Sequence, residues 1–279
     1  MPENYNRYEG RLVLITGGSS GTGLALAQLL AAEGARVWLL ARHQQKLEAA
    51  LRSLPTKHGQ THGMVTADVT SWDRVHAAVR RIQESAGVPE VLINAAGAAH
   101  PAYLRETSLD IFREMMDLNY FGTVHMVKAL VPAMVERGSG YVVNFSSGAG
   151  FLAPFGYAAY APSKYAVRGF SDSLRLELKP AGIRLSIVFP PDTDTPGMEN
   201  ENKTKPYETL EAFSSKLLPA DRVARAVLKG MKRGRYAILP GAEIGLYYRL
   251  TYWLGDAIYP LMDFVLAQAR RKKDRTPRG

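Results

Sequence analysis

The chain of 279 residues contains no cysteine. It can therefore form no disulfide bond, no thiolate zinc site and no cysteine-held iron–sulfur cluster, and it has no thiol nucleophile. The opening residues 1–10 are polar and contain no apolar run, so we expect no secretory signal. The hydrophobic fraction of 46% and the charged fraction of 22% are ordinary, which excludes a disordered chain and a polytopic membrane protein.

Positive charge is not spread over the chain. The formal net charge is +9, but residues 270–279 alone hold six basic residues and one acidic residue. Since nucleic-acid binding needs basic residues distributed over a face, we predict no nucleic-acid partner. We also predict no metal: the six histidines form no H-E-x-x-H motif, and the glycines after His58 and His62 indicate a turn rather than a metal-binding helix.

Short, nearly continuous apolar runs alternate with longer amphipathic stretches along the chain. Such runs are typical of strands that are buried on both faces of a parallel sheet. The alternation predicts an α/β protein with a doubly wound Rossmann-type fold and a mostly parallel seven-stranded sheet. The predicted strands lie within residues 11–17, 36–42, 64–69, 91–97, 141–147, 184–191 and 236–241.

We assign residues 1–241 to one cofactor-binding and catalytic domain, because no repeat or low-complexity linker interrupts them. Within it, residues 197–217 are polar and then weakly amphipathic, which indicates a mobile substrate loop after the sixth strand. Residues 242–279 form an apolar, helical C-terminal extension that ends in the basic tail.

A glycine-rich turn, TGGSSGTG, follows the first strand and opens the first helix. Glycine permits positive φ and lets the backbone approach a ligand, and the helix N-terminus offers free N–H groups to a pyrophosphate. The alternative is a purely structural turn, but the strand before it and the helix after it supply the context of a dinucleotide site. The candidate cofactor ligands are Gly17, Ser19, Ser20, Gly21 and Gly23.

The second strand ends in Arg42 and has no carboxylate there. In sheets of this kind an acid at this place binds the 2′-hydroxyl of NAD, whereas an arginine accommodates the 2′-phosphate of NADP. We therefore predict NADP(H) as the cofactor, with Ser19 or Lys46 assisting Arg42. The alternative is that Arg42 only solvates the end of the strand.

Tyr160 and Lys164 are four residues apart at the start of a helical stretch, so they share one helix face. A neighbouring ammonium favours phenolate and lowers the pKa of a tyrosine, which would move Tyr160 toward use near neutral pH. Alone, this spacing is common on helix surfaces. Upstream, however, Ser147 ends the fifth strand at the carboxyl edge, where such sheets bind ligands.

Several motifs occur together in a characteristic order and spacing: TGGSSGTG, Asp68-Val69, Asn94-Ala95-Ala96-Gly97, Asn119, Ser147, and Tyr160 with Lys164. Over roughly residues 10–240 this combination resembles the short-chain dehydrogenase/reductase family. The resemblance implies an NADPH-dependent reductase with a catalytic tetrad of Asn119, Ser147, Tyr160 and Lys164, in which Tyr160 gives a proton to the carbonyl oxygen.

The same resemblance implies the other roles. Ser147 would hold the substrate oxygen, and Lys164 would lower the pKa of Tyr160 and bind the nicotinamide ribose. Asn119 would sustain a helix distortion and a water that links the lysine to solvent. Cofactor contacts are implied for Asp68 and Val69 near the adenine, for Asn94, Ala95 and Gly97 along the cleft, and for Tyr160 and Lys164 themselves.

Two residues compete for these roles. Ser146 lies beside Ser147, but strand alternation puts the two on opposite faces, and the family's spacing to the tyrosine favours Ser147. Tyr157 competes weakly with Tyr160, because Ala161 rather than a lysine stands four residues later. Taken alone, Asn119 would be an ordinary polar helix residue.

The segment PPDTDTPG, residues 190–197, follows the sixth strand. Most family members carry a related segment whose last threonine and backbone hold the nicotinamide carboxamide. By this resemblance Pro190, Thr193 and Thr195 contact the cofactor, although Pro191 replaces the family's glycine and Thr193 its valine. The segment is similar to that of the branch which reduces 3-ketosphinganine to sphinganine in sphingolipid biosynthesis, and this is the expected reaction.

Asp192 and Asp194 stand beside a polyanionic cofactor, where carboxylates are unfavourable unless something offsets them. One hypothesis is that at least one of them faces the ammonium group of the substrate. The alternative, which we weigh equally, is that both only bond their own turn, as Asx-type residues often do.

Residues 244–269 are apolar and aromatic, but Arg249, Asp256 and Asp263 interrupt them at a spacing that would align the charges along one helical face. This pattern favours lying in a membrane interface over spanning it, with the basic tail attracted to anionic headgroups. We expect two shorter helices, separated near Gly255 and Pro260. The alternative is a substrate lid or a subunit-packing helix pair.

Together these features predict a cytoplasmic enzyme, attached peripherally or monotopically to the cytosolic face of a membrane, that acts on a long-chain lipid ketone. By analogy with the family we expect a dimer or tetramer. Two other functions stay open: reduction of a steroid, retinoid or 3-oxoacyl carbonyl, and non-catalytic NADP(H) binding. The PPDTDTPG segment argues against the first, and the intact set of Ser147, Tyr160 and Lys164 argues against the second.

Overall fold

A single parallel sheet organises the molecule. The computed structural model describes residues 8–57, 59–213 and 215–275. Its seven-stranded sheet has the order β3-β2-β1-β4-β5-β6-β9, and every neighbouring pair is parallel. The predicted doubly wound α/β fold is confirmed. The strands are β1 (Leu12–Thr16), β2 (Arg36–Ala41), β3 (Gly63–Thr66), β4 (Val91–Asn94), β5 (Gly140–Phe145), β6 (Ile183–Val188) and β9 (Ala237–Ile238).

Helices cover both faces of this sheet and extend beyond its last strand. They are α1 (Gly21–Ala32), α2 (Gln44–Arg52), α3 (Trp72–Ala86), α4 (Leu109–Met115), α5 (Gly122–Arg137), α6 (Tyr160–Leu178), α7 (Pro196–Asn202), α8 (Tyr207–Ala212), α9 (Ala220–Lys232), α10 (Ala242–Leu254) and α11 (Ile258–Arg275).

Two apolar cores lie on the two faces of the sheet. Successive side chains of β1 alternate between them: Val13 and Ile15 belong to the core that contains α1 and α9, whereas Leu14 belongs to the core that contains α3 and α5. All three side chains are fully buried. The strands read as continuous apolar runs because both of their faces are covered. Their carboxyl ends meet at one edge, which carries the site.

A small lobe follows β6. Its two short strands, β7 (Thr193–Asp194) and β8 (Leu218–Pro219), pair in parallel, and α7 and α8 lie between them in the chain. The sequence analysis did not predict these elements. A local signal for α7 exists, because Thr195 caps the helix through its side chain and Pro196 occupies the first turn. The mobility of residues 197–217 stays a prediction.

The C-terminal extension is a pair of helices, α10 and α11. The predicted break is confirmed at Gly255, whose φ of 51° lies in the left-handed region. Pro260 instead lies in the first turn of α11, where proline is tolerated. Since the break places Arg249, Asp256 and Asp263 on separate elements, the prediction of one row of charges along one helix is wrong.

The helix pair has an inner side and an outer side. On the inner side, Ile244 and Tyr248 pack against Phe151 and Phe189 of the main domain. Of the helices described, none is long and apolar enough to cross a membrane. The outer side, which we call the C-terminal apolar surface, exposes Leu246, Tyr247, Tyr252, Trp253, Tyr259, Leu261 and Phe264, with Trp253 at 91%.

Basic residues at the end of α11 contact the small lobe. Lys272 Nζ lies 2.5 Å from Glu211 Oε1, and Lys273 Nζ lies 3.6 Å from Glu208 Oε1. Both acids belong to α8. These lysines therefore join the C-terminal extension to the lobe, whereas the sequence analysis placed them in a basic tail; residues 276–279 of that tail lie outside the described residues.

Candidate active site

The end of β5 and the start of α6 bring three of the predicted catalytic side chains together. Ser147 follows β5, and its hydroxyl lies near that of Tyr160, the first residue of α6. Lys164, one helical turn later, places its Nζ 5.7 Å from the centre of the Tyr160 ring. Its ammonium donates a 3.1 Å hydrogen bond to the carbonyl oxygen of Phe145. A proton donor, a second hydroxyl and a cation thus converge at the carboxyl edge.

Burial governs the ionisation of this group. Burial raises the pKa of Tyr160 above its ordinary value; the hydrogen bond with Ser147 opposes this, and the charges of Glu201 and Asp192 add to it. Burial also lowers the pKa of Lys164 to about 8. This differs from the prediction that Lys164 lowers the pKa of Tyr160, because desolvation penalises both charged forms. At neutral pH the phenol keeps its proton, which is the form that a proton donor requires.

Asn119 lies in a π-helical turn, Met116–Phe121, between α4 and α5. Its side chain clamps the backbone of Ala98: Oδ1 accepts from the N–H at 3.1 Å, and Nδ2 donates to the carbonyl at 3.0 Å. Nδ2 also donates to Ser163 Oγ of α6 at 2.9 Å. The helix distortion that the resemblance implied is present, and Asn119 ties α6 to the loop after β4.

Ser146 and Ser147 point in different directions, as strand alternation predicted. The hydroxyl of Ser146 is buried and donates to the carbonyl oxygen of Lys164 at 2.9 Å. Ser146 therefore holds the backbone of α6, and Ser147 is the serine that interacts with the Tyr160 hydroxyl.

The glycine turn forms a cradle that larger residues would fill. Gly17 has a φ of 67°, and a Cβ on it would lie 2.8 Å from the carbonyl oxygen of Ala95. A Cβ on Gly21, whose φ is 55°, would lie 3.0 Å from the side chain of Thr195. Gly23 packs directly on the carbonyl of Gly17. The cradle lies at the N-terminus of α1 and fits the pyrophosphate of a dinucleotide.

Ser19 is half-buried and Ser20 is exposed in this turn. Ser20 is the N-cap residue of α1, but its side chain makes no capping hydrogen bond. Both residues belong to the turn at the N-terminus of α1, and their role as cofactor ligands stays a prediction.

The turn after β4 approaches the tetrad closely. A Cβ on Gly97 would lie 2.6 Å from Asn119 Oδ1 and 3.2 Å from Lys164 Nζ. Asn94 behaves differently, because its buried amide donates to Asn144 Oδ1 at 2.9 Å, within the sheet. The cofactor contact of Asn94 stays a prediction, as does that of Ala95, whose N–H donates to Thr16 Oγ1.

The predicted adenosine end is a pocket of about 370 Å³ beside the end of β2, lined by Arg42, Thr66, Ala67, Asp68 and Arg74. Two arginines and one aspartate thus line the same pocket, and a pair of arginines suits a 2′-phosphate. The sequence analysis missed Arg74, which lies on α3, outside any motif. Ser19 and Lys46 are outside the lining of this pocket. The side chain of Val69 is buried against Gly122, so only its backbone can face a cofactor.

Segment 190–197 crosses from the cofactor cradle to the catalytic tyrosine. Thr195 accepts from the N–H of Met198 and contacts the cradle at Gly21. Thr193 is buried and donates to the carbonyl of Pro191 at 2.7 Å, so its hydroxyl serves its own turn. The carbonyl of Pro190, also predicted to contact the cofactor, accepts from Gly148 N at 3.1 Å.

The two aspartates of this segment differ in position. Asp192 is half-buried, and its charge acts on Tyr157 and Tyr160. Asp194 is exposed. Neither carboxylate bonds its own turn within the part of the chain that the structure describes: Asp192 accepts a long hydrogen bond, 3.4 Å, from the N–H of Ser215.

The sequence analysis missed a second acidic side chain near Tyr160. Glu201, on α7, accepts a hydrogen bond from the hydroxyl of Tyr157, and its Oε1 lies 3.2 Å from the ammonium of Lys205. The ring of Tyr157 is centred 5.8 Å from that of Tyr160. No sequence signal marks Glu201, because only the fold of the lobe brings α7 back to α6.

Over residues 8–57, 59–213 and 215–275, no group of three or more His, Asp or Glu side chains is arranged to hold a metal ion. His62 bonds backbone, with Nδ1 accepting from Val37 N at 3.2 Å. His58 lies outside the described residues.

Known proteins share this architecture and sequence. The chain is 37% identical over 250 residues to a 3-dehydrosphinganine reductase of Danio rerio, covering 88% of this chain and 75% of that protein. It is 35% identical over 279 residues to a 3-ketodihydrosphingosine reductase of Dictyostelium discoideum, covering 94% and 84% of the two chains.

Solved structures agree on the fold. A short-chain dehydrogenase/reductase from Burkholderia phymatum in complex with NAD has a TM-score of 0.79 at 25% identity, covering 90% of this chain and 96% of that one. An actinorhodin polyketide ketoreductase with NADPH has a TM-score of 0.76 at 28% identity, covering 85% and 97%. Residues 11–206 match the profile described as short chain dehydrogenase. The chain therefore belongs to the short-chain dehydrogenase/reductase family, as its motifs predicted.

Proposed function

We propose that this protein reduces the 3-keto group of 3-ketosphinganine to sphinganine with NADPH, a step of sphingolipid biosynthesis. Relatives that carry the names 3-dehydrosphinganine reductase and 3-ketodihydrosphingosine reductase are 35–37% identical over most of the chain. The observation that carries the proposal is local: the phenol of Tyr160 keeps its proton, has Ser147 as its hydroxyl partner, and is subject to the negative charge of the half-buried Asp192. A ketone with a neighbouring ammonium group suits this arrangement.

NADPH supplies the hydride when it is bound. Tyr160 donates its proton to the ketone oxygen, and Ser147 holds the same oxygen through its hydroxyl. The ammonium of Lys164, close to the phenol ring, stabilises the phenolate that remains. Asn119 keeps α6 and the loop after β4 in register, so that the three groups stay at one point.

The preference for NADPH rests on the adenosine end. Arg42, Asp68 and Arg74 line the same pocket, and the Asp68 carboxylate accepts a 3.0 Å hydrogen bond from the N–H of Thr70. A 2′-phosphate would receive two charge-assisted contacts there, whereas a bare ribose would leave both guanidinium groups unpaired.

For the ammonium of the substrate we propose Asp192 rather than Asp194. Asp192 interacts electrostatically with Tyr160 and forms no ion pair with any described residue, whereas Asp194 is exposed. An unpaired, half-buried carboxylate is unfavourable without a cation. The ammonium of a 2-amino-3-ketone lies on the carbon next to the carbonyl and can offset this charge.

One comparison tests the reaction. NADPH oxidation is followed with 3-ketosphinganine and, in parallel, with a steroid ketone, a retinal and a 3-oxoacyl thioester. We expect the highest kcat/KM for the amino-ketone. Equal or lower activity on it than on the neutral carbonyls would contradict the substrate assignment and leave the reductase chemistry in place.

We further propose that the enzyme is cytoplasmic and binds the cytosolic face of a membrane peripherally. The C-terminal apolar surface supports this, since it exposes Trp253, Tyr259 and Phe264 on two consecutive helices. Because Lys272 and Lys273 are engaged by α8, apolar contact carries more of the attachment than the basic tail does. Flotation with liposomes tests it: a form lacking residues 244–279 that still floats like the intact protein would overturn the proposal.

A homo-oligomer, dimer or tetramer, is proposed by analogy with the family, through α5 and α6. Light scattering of the purified protein measures its mass directly, and a monomer at assay concentration would contradict the analogy.

A further inference from the structure

The small lobe places one charged side chain close to the catalytic tyrosine, Tyr160. Glu201 lies on α7, the helix that Thr195 caps at the cofactor cradle. Its carboxylate accepts a hydrogen bond from the hydroxyl of Tyr157, whose ring is centred 5.8 Å from that of Tyr160. Glu201 is thus separated from the reacting phenol by a single side chain, and the same short segment that contacts the cofactor cradle positions it.

Glu201 and Asp192 act on the same two phenols. The charge of each raises the pKa of both Tyr157 and Tyr160, in addition to the larger effect of burial. Contacts place both residues close to the phenol of Tyr160. Glu201 is hydrogen-bonded to Tyr157, whose ring neighbours that of Tyr160, and Asp192 stands two residues after Pro190, whose carbonyl accepts from the N–H of Gly148 beside Ser147.

The cations near this pair do not balance it. Lys205, whose side chain is 4% exposed, lies 3.2 Å from Glu201 Oε1 and 3.0 Å from Asn202 Oδ1. Asp192 has no ion-pair partner among the described residues. Lys164 directs its ammonium to the carbonyl of Phe145. Glu201 is thus paired with Lys205, whereas the half-buried negative charge of Asp192 remains without a cation.

A ligand that brings one ammonium group would complete the charge balance. In a 2-amino-3-ketone the ammonium sits on the carbon beside the ketone carbon, so it lies near Tyr160 whenever the ketone oxygen does. A neutral ketone would bury the excess negative charge without a partner, which disfavours it. The two carboxylates therefore disfavour neutral ketones as well as attract the amino-ketone.

We propose that Glu201 is a specificity-determining residue that forms, with Asp192, a two-carboxylate receptor for the ammonium of the substrate. This inference rests on the proposed reduction of an amino-ketone. Tyr157 holds the Glu201 carboxylate in place, and Lys205 offsets one of the two charges, so that the receptor takes a single cation.

The test compares two substrates that differ only in the amino group: 3-ketosphinganine and the long-chain 3-ketone of the same length without nitrogen. The ratio of their kcat/KM values is measured for the natural protein and for Glu201→Gln. We expect the ratio to fall about tenfold or more in the variant, through a higher KM for the amino-ketone, because a charge-assisted contact is lost. The matched control is Glu211→Gln, which removes a carboxylate on α8 that pairs with Lys272 and should leave the ratio unchanged.

Lys205→Met provides a test with the opposite sign. Without this ammonium both carboxylates lack a partner, so the preference for the amino-ketone should rise and the KM for it should fall. Direct binding of sphinganine and of its neutral N-acetyl form, followed by intrinsic fluorescence, gives a readout independent of turnover. Glu201→Gln should weaken binding of sphinganine more than that of the N-acetyl form.

Three results would overturn the inference: an unchanged ratio in Glu201→Gln, an equal loss on both ketones, or a reduced preference in Lys205→Met. An equal loss indicates that Glu201 only supports the fold through Tyr157. Failure of the proposed function is distinct from all of these, because the natural protein would then show no preference for the amino-ketone at all.

Discussion

The two walls of the site are held in different ways. Sheet and backbone hold the wall of β5 and α6: Lys164 bonds the carbonyl of Phe145, Ser146 bonds the carbonyl of Lys164, and Asn119 clamps Ala98. The wall of the small lobe and the C-terminal helices has its own β7–β8 pairing, and side-chain pairs such as Tyr157 with Glu201 and Lys273 with Glu208 join its parts to their neighbours. Backbone partners are costly to change, whereas side-chain partners can vary. We propose that the chemistry belongs to the first wall and substrate recognition to the second.

The largest expected effect belongs to the first wall. Tyr160→Phe removes the proton donor and should lower kcat by about 10³-fold or more, while NADPH binding measured by fluorescence changes little. Tyr157→Phe is the matched control, since Tyr157 is the competing tyrosine just before the same helix, and this variant should retain much more activity. Comparable losses in the two variants would contradict the assignment of the donor to Tyr160.

Substitutions in the sheet and in the C-terminal helices should differ in their effect on the free energy of unfolding. Leu92 is fully buried on β4, so Leu92→Ala should lower the free energy of unfolding by about 2–5 kcal/mol. Phe264 on α11 is 59% exposed, and Phe264→Ala should change it by no more than about 0.5 kcal/mol. Chemical denaturation measures both. A large loss for Phe264→Ala would show that the helix pair is part of the folded core.

Lys164 makes the first wall dependent on pH. Burial lowers its pKa from 10.5 to about 8, so between these values the unfolded chain binds more protons at this residue. Stability therefore rises with pH across this window, and the cost of burying the charge is fully present below pH 8. Lys164→Met should raise the free energy of unfolding near pH 7 by up to about 3 kcal/mol, with the gain vanishing toward pH 10.

Denaturation of both proteins at several pH values between 7 and 10 measures this difference. Lys46→Met, at an exposed lysine of α2, is the control and should show no such dependence. A pH-independent difference for Lys164→Met would contradict the buried-charge explanation.

Cofactor choice should depend on Arg42 and Arg74 together. Arg42→Ala should weaken NADPH binding about 10- to 100-fold, because a charge-assisted contact to phosphate is lost, and should leave NADH binding nearly unchanged. Arg74→Ala should act in the same direction. Titration of each variant with both cofactors measures the ratio; an equal loss for NADH and NADPH would place the 2′-phosphate elsewhere.

The smallest effect is expected at the C-terminal apolar surface. Trp253→Ser should weaken binding to anionic vesicles by about tenfold, since an exposed indole no longer enters the interface, without changing turnover of a soluble ketone. Leu176→Ser replaces a 65% exposed leucine on α6, outside this surface, and should have no effect on vesicle binding. Equal losses would argue against a localised membrane contact.

Much of the first wall could be predicted from sequence. Ser147 follows an apolar run, and Tyr160 and Lys164 are spaced by one helical turn. The resemblance of the motifs to the family then distinguishes these residues from others with the same local patterns. The second wall could not be predicted in this way. Glu201 reaches Tyr157 across 44 residues, and Lys273 reaches Tyr103 across 170, so these contacts exist only after the lobe and α11 have docked.

The parallel α/β architecture, the glycine turn and Arg42 after β2 can be read from the amino-acid sequence, because apolar period and turn chemistry are local properties. The catalytic set is what the resemblance of the motifs to the family implies. Features that depend on burial and on distant neighbours arise only when the chain has folded. The fold turned the Asn94 amide into the sheet, added Arg74 to the adenosine pocket, and brought Glu201 to Tyr157, next to Tyr160. It also raised rather than lowered the pKa of Tyr160, since desolvation depends on everything packed around the phenol.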